Sequence, residues 1–284
     1  MLRLHLAKLL PEQTADYGRR HYMLFMYVFH QILGKDWVEN NVLLHALGPA
    51  KGKIGFFEMD FSADEIRELK SLRIFDLAEI LLNLQMIEGF DDCVGRLRSG
   101  DQKQIEATYA ELQFAKLLYV HDIDFKFVVP AKKVKGEDYD YEIRFPDGTI
   151  ACADAKCKLE ATDIDPHSVK NSLKDARDQL PATKPGIIFV KVPQNWFDVP
   201  GMVDDLNKIA LDFMRGTGRI VSVKYYISHV TFRDQATLHR HAYKELSNAS
   251  SRFPARDWNL FTGYHVPKDW NGMPPKWIRL MNFE

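Results

Sequence analysis

The sequence predicts an α/β fold, a mixed β-sheet flanked by helices, behind a mainly helical N-terminal region. Apolar residues recur at helical spacing through much of residues 1–100. From 102 onward helical and extended patterns follow one another in the order α-β-β-β-α-β-α-β. Within that series "GIIFVKVP" (186–193) is an almost continuous apolar run, the mark of a strand buried on both faces.

The N-terminal region contains "YMLFMYVFHQIL" (22–33), too short to span a bilayer and interrupted by His30 and Gln31, so a buried helix is expected. The run starts too late, and lacks the cleavage pattern, for a secretory leader. "SADEIRELKSLRIFDLAEILLNLQMI" (62–87) opens on a capping-box pattern, Ser62 with Glu65, and continues with Ile66, Leu69, Ile74, Leu77, Ile80, Leu81 and Leu84 on one face. "GFDDCVGRLRSGD" (89–101) carries three glycines and is the expected boundary between residues 1–100 and 101–284.

Beyond it, "QKQIEATYAELQFAKLLYV" (102–120) reads as a helix and "DFKFVVP" (124–130) as a strand. A hairpin follows at 138–158. "PHSVKNSLKDARDQL" (166–180) is a helix with proline near its start, and a further helix is expected at about 200–215. "RIVSVKYYISHVTF" (219–232) is β-rich.

Composition bounds the chemistry. The 284 residues are 46% hydrophobic and 27% charged, with a formal net charge of −1. This excludes a globally basic nucleic-acid binder but allows one basic face. Three cysteines without CxxC spacing argue against a structural zinc site and for a reducing compartment. A cytoplasmic, non-membrane protein is expected.

The hairpin carries the unusual residues. In "GEDYDYEIRFPDGTIACADAKCK" (136–158), Tyr139, Tyr141, Ile143 and Phe145 alternate with Asp138, Asp140, Glu142 and Arg144. On the return strand Ala151, Ala153, Ala155 and Cys157 alternate with Cys152, Asp154, Lys156 and Lys158. "FPDGT" suits a type I turn with Gly148 as a left-handed bulge residue, which pairs Phe145 with Thr149 and, counting back, Asp140 with Asp154 and Asp138 with Lys156. Opposed carboxylates repel by up to about 1 kcal/mol. A divalent cation reverses that sign, and hard oxygen donors select Mg²⁺ or Mn²⁺. Lys156, one pleat along, can orient a water or meet developing negative charge. On helix 102–120, Glu111 falls among Ala107, Ala115 and Leu118, where a carboxylate needs a partner or a cation, whereas Glu106 sits beside Gln113 on the wetter side.

This constellation resembles the PD-(D/E)xK, or restriction-endonuclease-like, nuclease superfamily over residues 102–193. "AELQFAKLL" (110–118) looks like its first helix, with Glu111 as the acid and Glu106 the alternative. "DYD" (138–140) looks like the first aspartate, placed at Asp140 with Asp138 the rival, and "DAK" (154–156) like the (D/E)xK element. Gln179 resembles a glutamine found on the following helix in many members. The resemblance implies a restriction-endonuclease-like core and metal-dependent phosphodiester hydrolysis, most readily of DNA. By it Asp140, Asp154 and the Ala155 carbonyl hold Mg²⁺ (or Mn²⁺), Glu111 contributes directly or through water, and Lys156 orients the nucleophile or stabilises the pentavalent charge. The N-terminal helical region would then serve substrate choice, a partner protein or a second copy. The competing expectation is a catalytically silent module that keeps the fold for nucleic-acid binding or assembly.

Other candidates are weaker. Lys170, Lys174 and Arg177 on helix 166–180 suit phosphates or a solvated face equally. The segment 233–256 sets Arg233, His239, Arg240, His241, Lys244, Arg252 and Arg256 against Asp234 and Glu245, a locally basic stretch able to touch nucleic acid. "HRH" (239–241) reads as surface rather than as a metal site, and Trp258, Trp270 and Trp277 as core closures rather than base-stacking platforms.

Overall fold

The computed structural model describes residues 17–42, 55–58, 63–129, 136–159, 163, 165–233, 236–254, 257–261 and 277–280. N-terminal helices precede a six-stranded mixed sheet with interspersed helices, the α/β class that the alternating patterns predict. Two compact units result, one from residues 1–86, 91–105 and 273–284, the other from 87–90 and 106–272.

The first unit holds helices α1 (Tyr17–Ile32), α2 (Lys35–Asn41), α3 (Asp64–Leu84) and nearly all of α4 (Phe90–Leu97). The expected buried helix is α1, with Leu24, Phe25, Val28 and Phe29 in the core. Ser62, the expected cap of α3, lies outside the described residues, and the N-cap position falls one residue later, on Ala63, which makes no side-chain cap hydrogen bond. Helix α4 falls inside the glycine-containing stretch that reads as a boundary. Trp277 is buried, and its indole N–H donates to Glu79 Oε2 at 3.2 Å, the core-closing role expected of it; Trp270 lies outside the described residues. Among the described residues no helix is long and apolar enough to cross a membrane.

The second unit is built on the sheet, with α5 (Gln102–Val120) entering it from Glu106. Strands β1 (Asp124–Phe127), β2 (Tyr141–Arg144), β3 (Ile150–Cys157), β4 (Gly186–Lys191), β5 (Ile220–Arg233) and β6 (Ala236–Ser247) lie in sequence order. The first three form an antiparallel meander, β3–β4–β5 are parallel, and β6 returns antiparallel. Parallel neighbours need crossovers, supplied by α6 (Pro166–Gln179) and α7 (Met202–Arg215). Both helices cover one face of the sheet, where Cys152, Ile188, Val190, Val223 and Tyr225 meet Val169, Leu173, Leu206 and Phe213 in one core. The opposite face meets α5. There Phe114 stacks on Phe189 at 4.7 Å, and Tyr141 donates its hydroxyl to the Glu111 carbonyl at 2.6 Å. Every residue of β4 is buried, as its apolar run predicts.

The long β6 is absent from the expected pattern, which stops at 232. Its sequence, "ATLHRHAYKELS", puts polar residues on both faces and so hides the alternation. It is held partly from within. Lys224 and Glu245, with side chains only 1% and 8% exposed, pair at 2.5 Å. Lys224 Nζ also donates to the Trp258 carbonyl, while Glu245 accepts the Leu260 and Phe261 N–H groups. Burial holds the Lys224 ammonium down to about 8 despite that carboxylate. Trp258 is buried here, again closing a core.

Candidate metal and phosphate site

The hairpin forms in the expected register. Tyr141 faces Ala153, Glu142 faces Cys152, and Arg144 faces Ile150. The turn residues set it: Gly148 adopts φ +82°, its N–H donates to the Phe145 carbonyl at 2.9 Å, and the Phe145 N–H donates to Thr149 at 2.9 Å. A one-residue slip would have exchanged the two faces of β3.

Strand β2 starts at Tyr141, however, not at 138. The Asp140 N–H donates to the Ala153 carbonyl at 3.0 Å, although Tyr141 already faces Ala153. Two residues thus oppose one, as in a β-bulge. The expected ladder pairs Asp140–Asp154 and Asp138–Lys156 are therefore absent. The bulge instead sends the Asp140 carboxylate to the Ala155 N–H, with Oδ2 at 2.6 Å. Asp138 lies before the strand, where its charge reaches Asp154.

Asp154 is 1% exposed. Its Oδ2 stands 2.8 Å from Lys156 Nζ but accepts no aligned hydrogen bond. Lys156 Nζ also donates to Gln179 Oε1 on α6. Burial pushes the Asp154 carboxyl up to about 7; Lys156 opposes that rise, and Glu111 and Asp138 add to it. Burial, then Glu111 and then Asp154, push Asp140 well above the usual carboxylate range. Asp140, Asp154, Lys156, Gln179 and the field of Glu111 thus meet at one place.

Which residues could hold an ion follows from this. Asp140 and Asp154 are hard donors whose shared charge favours a divalent cation. Among the described residues, no three His, Cys, Asp or Glu side chains gather closely enough to form a metal site alone. An ion here would rest on the two aspartates, completed by backbone oxygen and water. That donor set suits Mg²⁺, which keeps several waters and uses one or two carboxylates.

Two details of the sequence reading change. Glu106 is buried, not wet, as is Gln113, whose amide donates to Tyr109 Oη at 3.1 Å. Both flanks of α5 are covered, so burial does not separate the two glutamates. The electrostatics do, because Glu111 raises both aspartates. On the nuclease expectation, Glu111→Gln slows cleavage about tenfold or more, the range for outer-shell partners, with circular dichroism unchanged. Glu106→Gln should stay within about twofold of wild type; the reverse ranking would move the helix acid to Glu106.

Lys158 shares the Lys156 face but is no spectator. It is 8% exposed, and its Nζ donates to both the carbonyl (2.8 Å) and the hydroxyl (2.7 Å) of Ser168. Its ammonium is the tie between the end of β3 and the first turns of α6. Lys158→Ala leaves those acceptors without their donor and should cost about 1–3 kcal/mol in urea unfolding. An unchanged midpoint would show that α6 is seated without the tie.

A scan against protein-family models and a search of curated proteins return no match for this chain.

Proposed function

We propose that this protein is a metal-dependent nuclease that hydrolyses phosphodiester bonds, most readily those of DNA. The observation that carries the reading is the convergence of Asp140, Asp154, Lys156 and Gln179, two destabilised carboxylates facing one amide-oriented ammonium. A purely structural hairpin gains nothing from placing two such carboxylates together. The resemblance to the PD-(D/E)xK nucleases, carried by the same residues, supports it. So does the order of α5, the β1–β3 meander, α6 and parallel β4.

In this reading Asp140 and Asp154 would hold Mg²⁺ or Mn²⁺ with the Ala155 carbonyl, and Glu111 would contribute directly or through water. The bound ion would acidify the attacking water and shield the phosphate. Gln179 keeps the Lys156 ammonium aimed into the site, where it offsets charge on the phosphorane-like transition state. Asp154, with a proton affinity near neutrality, gives up its proton as pH rises and would then be free to hold the ion, so activity should climb from about pH 6 to 8.

The rival is a silent nucleic-acid-binding or assembly module. It draws on the absence of a ready three-ligand cluster among the described residues. Incubation of the purified protein with plasmid, single-stranded DNA and RNA, with Mg²⁺, Mn²⁺ or EDTA, decides between them. Metal-dependent, EDTA-blocked cleavage supports the nuclease. Binding without cleavage under every condition supports the module.

A further inference from the structure

Two guanidinium groups meet one carboxylate at the far flank of α6, and a third arginine is seated beside them. Arg219 Nη2 donates to the Arg177 carbonyl at 2.5 Å and stands 3.5 Å from Asp178 Oδ1. Arg177 Nη2 stands 3.0 Å from the same oxygen. The Arg252 N–H donates to the Gly218 carbonyl at 2.9 Å, which seats Arg252 next to Arg219, and its guanidinium lies 5.3 Å over the Phe253 ring. Burial and the Arg177 charge hold Arg219 below its ordinary range, Asp178 works against them, and Arg252 adds to the depression.

Arginine cannot shed its proton to relieve such crowding. Three positive charges against one negative leave a local excess of two. Planar forks in fixed orientation suit a phosphate oxygen pair, which they bind bidentately. The cluster is also reachable: Arg252 is exposed, and Arg177 and Arg219 keep 32% and 20% of their side-chain surface.

We propose that Arg177, Arg219 and Arg252 form a phosphate-binding point for a nucleic-acid backbone, gripping a phosphodiester other than the one at Lys156. Arg177 and Gln179 leave α6 about 200° apart, so the cluster and Lys156 lie on different sides of the helix. The placement relative to a scissile phosphate rests on the nuclease reading; the anion chemistry of the cluster does not.

Arg219 also caps the end of α6, so the test spares it. Arg177→Gln combined with Arg252→Gln removes two cations whose visible contacts are a partly exposed ion pair and a ring, worth little to stability. Anisotropy of a labelled DNA duplex in EDTA, over a salt series, gives affinity and slope. The double variant should bind about tenfold or more weakly, with the slope of log K against log salt lower by about 1–2. Asp178→Asn, which removes the opposing carboxylate, should bind more tightly than wild type. Affinity and slope unchanged in the double variant overturn the cluster, and if wild type still cuts DNA the nuclease reading survives. Loss of affinity in the double variant of a protein that never cuts leaves the cluster standing and removes the nuclease. A wild type that does not bind the duplex at low salt overturns the proposal.

Discussion

Replacing Lys156 by alanine is expected to slow cleavage by about 10²–10³-fold, the usual cost of removing one donor aimed at developing charge. The ammonium cannot ligate a metal, so the loss belongs to the transition state. Its contact with Asp154 at 2.8 Å adds a second signature. Lys156 is the largest influence holding the Asp154 carboxyl down, so without it the carboxyl rises above about 7. A proton then competes longer with the ion. Calorimetric titration with Mn²⁺ should find the variant weaker than wild type at pH 6.5, and equal or tighter at pH 8.5, where the proton is gone and so is a repelling charge. Lys208, exposed on α7, supplies the control; Lys158 cannot, because it holds α6. Cleavage by a folded Lys156→Ala variant at the wild-type rate would remove the nuclease and leave the binding module.

The second large effect is on stability, and its sign is unusual for an aspartate. The folded-state pKa of Asp154, about 7, lies above the unfolded value of about 3.9. Its contribution is therefore whole below about pH 4 and is lost as pH rises through about 7, at about 1.4 kcal/mol for each unit between. Asp140 is shifted in the same direction. Asparagine cannot ionise, so metal-free Asp154→Asn should melt higher than wild type at pH 8, by roughly 5 °C or more. The variant should be inactive, and Mn²⁺ should raise the melting point of wild type only. A variant that melts lower than wild type at pH 8 would mean that the Asp154–Lys156 pair stabilises more than burial of the carboxylate destabilises.

What could be read in advance followed from local rules. "FPDGT" dictates a turn, the turn dictates the register, and the register separates the alanine face from the face of Asp154 and Lys156. Position 140 escaped because a bulge is a property of two strands together. Nothing in "DYDYE" says that Asp140 and Tyr141 will both stand opposite Ala153. Lys158 escaped because alternation gives the direction of a side chain but not its reach, and four methylenes carry its charge to Ser168. The burial of Glu106 was hidden because α5 is covered on more than one flank, which erases the wet sector that a helical wheel presumes.

The Lys224–Glu245 pair ties the fate of a loop to that of the sheet. The Leu260 and Phe261 N–H groups belong to no ladder, yet their acceptor is a carboxylate rooted in β6 and neutralised from β5. Solvent hydrogens can replace theirs only when that acceptor lets go. Letting go would strand a buried carboxylate beside a buried ammonium, which is costly unless the two strands part as well. The 257–261 segment, which lies in no helix or strand, therefore belongs to the same cooperative opening unit as β5 and β6.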